Sequence, residues 1–412
     1  MQKFIKNKQL QKKIYLSLFL IAIFRIVSFI PVPFVNKDIL KSISNDGIMS
    51  YLNMFSGGAL SNFTFMATGI SSYISASIVM QLLTYGIKRF HDISKSPGGD
   101  RIIKKMTIII GIVASFIISF LTTTGMQKKY GLLTIDASYV YFIIAAIHSL
   151  GTAFAIWIGE TITNKGFGNG VSLLILINIL SSIPKNIVLI QSQLKYGLLS
   201  TSNFILAIFI MLLVSLSIVV FEKSERRIKI KYSKLVARGK TSFGENSGYF
   251  PIKLNLSGVM PIIFASTFMQ FFIFIGEAIK GPIGDFLKNN FSYGQLLNSF
   301  IMAALIFFFS YFYNALIFNP IEISNNIQNN GGIIPGVRPG LATGEYISKI
   351  NKNLVFCGSI YLAIIALIPN IIFAKINFNG LSATSLMIII GVGIEISEKI
   401  KLELDTGVFE NF

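Results

Sequence analysis

The stretch Phe204-Ile-Leu-Ala-Ile-Phe-Ile-Met-Leu-Leu-Val-Ser-Leu-Ser-Ile-Val-Val-Phe221 carries no charged side chain, and Glu222 and a basic run follow it at once. As an α-helix it would be about 27 Å long, close to a hydrocarbon core of about 30 Å. It reads as a membrane span. Working outward, five stretches before it read the same way: Ile14–Phe34, Ala67–Ile87, Met106–Gly125, Tyr139–Ile162 and Val171–Ile190. Four follow it: Gly258–Ile279, Asn298–Phe318, Leu354–Phe373 and Leu381–Ile396. An N-terminus in the cytoplasm puts 1–13, 88–105, 163–170, 222–257, 319–353 and the C-terminal tail on the inside. With Glu160 and Glu395 counted on that side, it holds 26 of the 36 Lys and Arg residues. That bias places both ends of a polytopic protein in the cytoplasm.

A hydrophobic share of 53% excludes an ordinary soluble globule. The net charge of +18 could suit nucleic acid, but topology-setting loops account for it better. Met1–Lys13 is basic and Ile14 onward has no small-residue cleavage site, so the first span is expected to be retained. Cys357 is the lone cysteine, which rules out an intrachain disulfide or a cysteine metal cluster. Lying in an apolar run, it reads as a small core residue. The preference for Ile, Lys and Asn suggests an AT-rich genome, such as that of a plastid or a reduced bacterium.

Phe55–Phe65 between the first two spans is mildly apolar and bounded by Gly57-Gly58 and Gly69. A helix there would be about 15 Å long, half a membrane. It reads either as a re-entrant segment buried in protein or as an amphipathic surface loop. The second and seventh spans begin with one rhythm: a glycine, helix-loosening residues, then Ser and Thr among apolar residues. Two five-span halves split near Gly197–Ser202 would enter the membrane from opposite sides, the pattern of an inverted repeat.

Ionisable residues within the spans are few, among them Arg25, His148, Glu160 and Glu277. They form no proton relay. The phosphate-loop pattern GxxxxGK[ST] is missing, and Gly166–Gly170 opens a helix without a preceding strand. His91 and His148 have no visible partner cluster, and no catalytic constellation is found. These features describe a conduit driven from outside, with no cofactor and no metal.

Three polar or mixed segments stand out. Trp157–Ser172 is a helix end, a glycine-rich turn and a helix start. Phe221–Leu235 and Tyr249–Pro261 flank Lys240, and from Arg227 the basic and apolar residues alternate through Ile228, Lys229, Ile230 and Lys231. Period two predicts a β-hairpin arm. Ile334–Gly344, stiffened by Pro335 and Pro339 and turning at Gly336 and Gly340, presents Arg338.

The chain resembles the SecY family of protein-conducting channels nearly end to end. FSGGALS (55–61), SYISASIVMQLL (72–83), GETITNKGFGNGVSLL (159–174), ERRIKIKY (225–232), GVMPIIFAS (258–266), NPIEISNNI (319–327) and PGVRPG (335–340) carry the resemblance in family order. It implies an all-α membrane protein of ten transmembrane helices in two pseudo-symmetric inverted five-helix halves, 1–197 and 198–412, with a re-entrant plug half-helix. The plug maps onto Gly57, Gly58, Ala59, Leu60, Ser61, Asn62, Phe63 and Thr64. The pore ring maps onto Ile70, Ile74, Ile175, Ile179, Ile263 and Ile388, whose aliphatic side chains would offer a passing chain no fixed hydrogen bond and would dewet the constriction. The second, third, seventh and eighth spans would form a lateral gate, with Ser75, Thr267 and Phe271 at its seam and a hinge between the fifth and sixth spans. Docking falls to Arg226, Arg227, Lys229, Lys231 and Arg338.

The partners implied are a SecE-like subunit, an optional SecG-like subunit, a SecA-type ATPase or the ribosome, unfolded preproteins and the lipid bilayer. The membrane implied is the bacterial cytoplasmic membrane or the plastid thylakoid, with both termini on the cytoplasmic or stromal side. Two departures from the family matter: Ser72 stands where it usually has proline, leaving the bend to Gly69, and the tail after Ile396 is short and mostly acidic. From other classes, an ion-coupled transporter would need more intramembrane charge, and an insertase scaffold would need neither plug nor ring.

Overall fold

Long runs of Leu, Ile, Phe and Ala, apolar all round, can be helical only where lipid or protein covers every face. The computed structural model describes residues 8–36, 39, 58, 59, 62–232, 247–278, 281–291, 295–376, 378, 380 and 382–406. Its N-terminal part contains α1 (Lys8–Val27), α2 (Ser71–Gly86), α3 (Lys88–Lys95), α4 (Gly99–Tyr130), α5 (Ser138–Lys165), α6 (Gly170–Lys195) and α7 (Thr201–Glu222). Strands β1 (Glu225–Tyr232) and β2 (Ser247–Lys253) follow, then α8 (Met260–Ala278), α9 (Pro282–Phe291), α10 (Leu296–Ile317) and α11 (Pro320–Asn329). Strand β3 (Gly332–Ile333), α12 (Leu341–Lys375) and α13 (Ala383–Thr406) complete the order.

Each expected span overlaps one helix. Among the described residues, six stretches are long and apolar enough to cross a bilayer: α4, α5, α6, α7, Leu296–Asn329 and α12. The other four fall short for local reasons. Helix α2 has 16 residues, and α8 has a described apolar stretch of only Met260–Gln270. Basic residues at Lys8, Lys12, Lys13 and Arg25 interrupt α1, and α13 becomes charged from Glu395 onward.

Several expectations are revised. Helix α12 begins at Leu341 rather than Leu354, and α3, α9 and α11 occupy stretches expected to be connectors. Of the plug segment, Gly57, Leu60 and Ser61 lie outside the described residues. Gly58, Ala59, Asn62 and Phe63 lie in turns, not a half-helix, because Gly58 (φ 87°) and Phe63 (φ 46°) take left-handed backbone that interrupts a helical ladder. Cys357 is exposed rather than a core residue. On α12 the buried positions are Val355, Gly358, Ser359 and Leu362, so residue 357 falls on the opposite arc.

Within the N-terminal part, α4 packs on α5 and α2, α5 packs on α6, and α1 lies on α5. In the C-terminal part, α10 packs on α12 and α8, α12 packs on α13, and α7 lies on α12. The two parts meet where α8 contacts α2 and α4, and where α13 contacts α6. One large apolar cluster runs through both, including Phe24, Ile158, Ile218 and Phe309.

Three ion pairs among the described residues join separate elements: Lys13–Glu403 (2.8 Å), Lys104–Glu160 (3.1 Å) and Lys253–Glu398. All three link groups that the charge count assigns to the inside, so these helix ends share one level.

Candidate functional site

Asn169 starts α6: its Oδ1 accepts hydrogen bonds from the Val171 and Ser172 N–H groups, at 3.1 and 3.5 Å. The turn before it is fastened by Phe167 N–H to Ser17 Oγ of α1 (2.7 Å) and by Gly170 N–H to Thr163 Oγ1 of α5 (2.9 Å). So fixed, α6 points Ile175 and Ile179 into the interior. Helices α2 and α8 arrive after glycines in left-handed backbone, Gly69 (φ 44°) and Gly258 (φ 60°). The turn at Gly69 leads to Ile70 and Ile74, and that at Gly258 leads to Ile263. Ile388 comes from α13.

These six isoleucines, drawn from both parts of the chain, are each at most 4% exposed and belong to one apolar cluster. Ala59 and Met66, from the segment preceding α2, belong to it too. The six side chains have no polar atom, so the cluster can exclude water without holding any group that crosses it.

Beside it lies the contact between α2 and α8. Ser75 Oγ donates to Ser71 O (3.1 Å) and Thr267 Oγ1 donates to Ile263 O (2.8 Å). Each hydroxyl is satisfied on its own helix, which leaves the seam without a cross-helix hydrogen bond from these two residues. Phe271 lies in α8, and its side chain is outside the described residues.

A buried polar cluster next to the plug segment was not foreseen. Thr68 Oγ1 meets Ser115 Oγ at 2.8 Å and Thr152 Oγ1 at 3.1 Å, and Thr152 Oγ1 donates to Gly69 O (3.0 Å). Ser119 Oγ and His148 Nδ1 share a hydrogen bond of 2.6 Å, and the Phe63 ring lies 5.2 Å from the imidazole. The signal was helical spacing: Ser115 with Ser119, and His148 with Thr152, each stand four residues apart and so share a face.

The expected hairpin is present, with β1 antiparallel to β2 and Arg227 opposite Pro251 of β2. Ile228 and Ile230 are buried, while Arg226, Arg227, Lys229 and Lys231 are exposed. The sheet has a third strand that the sequence did not reveal. Lys231 pairs with Ile333 and Tyr232 with Gly332, giving the order β2-β1-β3. Ile334 and Ile347 pack with Ile228, Ile230 and Ile252 beneath it. Arg338 is exposed on the loop after β3, which is braced by Thr343 Oγ1 donating to Arg338 O (2.9 Å) and Ser324 Oγ donating to Gly340 O (2.6 Å). The two basic segments therefore stand on one platform.

Comparison with known proteins gives consistent results. The family model described as SecY matches residues 64–397. A protein translocase subunit SecY of Guillardia theta is 36% identical over 99% of this chain and 98% of its own. That of Bacillus subtilis (strain 168) is 36% identical over 97% and 96%. The solved structure named "The structure of a protein conducting channel" superposes with a TM-score of 0.68 at 17% identity, covering 95% of this chain and 92% of the other. "Sec61 in the Canine ribosome-channel complex from the endoplasmic reticulum" gives 0.61 at 15% identity, covering 96% and 92%. At those identities the two structures speak for the fold.

Proposed function

The chain belongs to the SecY family and is a channel subunit of the Sec protein translocase rather than an enzyme; from that premise we propose that Ile70, Ile74, Ile175, Ile179, Ile263 and Ile388 form its constriction. The observation that carries this reading is their common burial in one apolar cluster drawn from both parts of the chain. The segment Gly57–Thr64, whose Ala59 belongs to that cluster, acts as the plug. The α2–α8 seam, flanked by α4 and α10, opens sideways to release apolar segments into lipid. Unfolded preproteins pass through the centre.

Two inverted halves of five spans each, 1–197 and 198–412, fit the packing. Numbering the spans one to five in each half, the contacts three–four, two–three, four–five and one–four occur in both. The exposed basic side chains of the sheet and Arg338 receive a SecA-type ATPase or the ribosome, whose RNA would bind with strong salt dependence. A SecE-like subunit, with or without a SecG-like one, clasps the hinge between α6 and α7. The membrane is bacterial or thylakoid.

The test is Ile263→Asn, with Ile388→Asn beside it, in channels reconstituted with their partner subunit. A polar side chain hydrates the constriction. Ion conductance without substrate should rise, and precursors with defective signal sequences should be exported better. Unchanged conductance together with unchanged precursor selectivity in both variants would overturn the assignment.

A further inference from the structure

Asn255 lies between β2 and α8, is buried, and uses both ends of its amide. Its Nδ2 donates to Glu222 Oε1 at the end of α7 (2.7 Å) and to Gly258 O before α8 (2.9 Å), while its Oδ1 accepts from Ser257 Oγ (3.2 Å). One residue earlier, Leu254 N–H donates to Ser224 O (3.1 Å), closing the base of the hairpin. Lys253, the last residue of β2, pairs with Glu398 of α13. The linker has no room to bend toward α12, because a Cβ on Gly358 would stand 2.8 Å from Leu254 O. Past Gly258, the Val259 carbonyl accepts from the Ile262 and Ile263 N–H groups, both at 3.2 Å. Hydrogen bonds, with the covalent backbone at 254–255 and 258–259 between them, therefore link the hairpin base to Ile263.

We infer that Asn255 is a positioning residue that transmits displacement of the cytoplasmic sheet to the start of α8, and so to the constriction and the seam. A linker that merely joined strand to helix would need its backbone groups satisfied, not a side chain tied at once to α7 and to the carbonyl where α8 begins. A docked motor shifts a two-state channel only through contacts that differ between the states, and this set of bonds is a physical route for that difference. The inference rests on the docking and constriction assignments proposed above.

The test uses the complete channel complex in proteoliposomes with a SecA-type motor and a secretory precursor. It compares Asn255→Ala, Asn255→Asp, Ile263→Asn and the double variants. Asn255→Asp keeps the shape but turns an acceptor oxygen toward Glu222 and Gly258 O. Both Asn255 variants should bind the motor with unchanged affinity and lose about tenfold in export, within the usual range of coupling between sites. Adding Ile263→Asn, which opens the constriction independently of docking, should restore export to the level of Ile263→Asn alone.

Wild-type export by Asn255→Ala, doubles as impaired as the Asn255 single variants, or failure of both Asn255 variants to accumulate in the membrane would each overturn the inference. The controls separate it from its premises. Normal motor binding by Arg338→Glu tells against the docking assignment, and wild-type behaviour of Ile263→Asn tells against the constriction.

Discussion

Helices α2 and α8 both begin after a glycine in left-handed backbone, yet the two starts are held by different chemistry. At α2, Thr68 and the Gly69 carbonyl are bound by Ser115 of α4 and Thr152 of α5, all buried and all within the N-terminal part. At α8, Asn255 binds the C-terminal end of α7 and stands next to a strand of the three-stranded sheet. The first anchor is internal and closed to solvent. The second joins the start of α8 to the end of α7 beside the three-stranded sheet. One start is a wall tied within its own part of the chain; the other, on the inference drawn above, is a lever, so a signal arriving at the sheet would move α8 against α2 rather than both together.

Gly151→Ala should break the wall most severely. A Cβ at that position would lie 2.1 Å from Phe65 O, a backbone atom that cannot rotate away. Forced separation of α5 from the segment before α2 should cost about 3 kcal/mol or more. A denaturing-detergent titration of the purified channel would show it, and wild-type stability would mean that this segment is not pressed against α5.

Thr68→Val sharpens the comparison by keeping the shape and deleting the hydroxyl. Ser115 and Thr152 keep their hydrogen bond to each other (2.8 Å), so the loss is that of the two bonds Thr68 makes to them, each worth about 0.5–1.5 kcal/mol and together about 1–3 kcal/mol. The same titration should register that loss while motor affinity stays unchanged, since this anchor has no link to the sheet. A drop in motor affinity would erase the distinction between wall and lever.

Gly258→Ala should have the smallest effect of the three. Its φ of 60° disfavours a side chain, but nothing lies within 4 Å of the added Cβ. The expected destabilisation is about 1–2 kcal/mol, the cost of left-handed backbone for an L-residue. A loss as large as that of Gly151→Ala would place a steric clash at α8 where the structure has open space.

Much of this architecture was legible in the chain because hydropathy and period two are strong local signals. Phe204–Phe221 names its own environment, and the alternation from Arg227 to Lys231 predicts both a strand and which side chains it exposes. Strand β3 was missed because two residues, Gly332 and Ile333, cannot display a period. The start of α12 was missed because its first turns leave the membrane, where hydropathy no longer marks a helix. Cys357 was misplaced for a related reason: in lipid, an apolar run carries no information about which side faces inward. The segment before α2 resisted because its backbone turns on left-handed residues, and Phe63 is not a residue type that announces one. The Ser115–His148–Thr152 cluster was visible in principle, but single polar residues inside spans look like packing devices until three segments bring them together.

Strand β2 is an outer strand of the three-stranded sheet, and Pro251 sits within it. An outer strand normally offers a row of amide hydrogens on which any extended polypeptide can crystallise as one more strand. Proline has no such hydrogen and interrupts the row. For a protein whose cargo is unfolded chain, this is non-stick design: an extended preprotein brushing the mouth finds a ladder with a missing rung, and slides on instead of being adopted into the sheet.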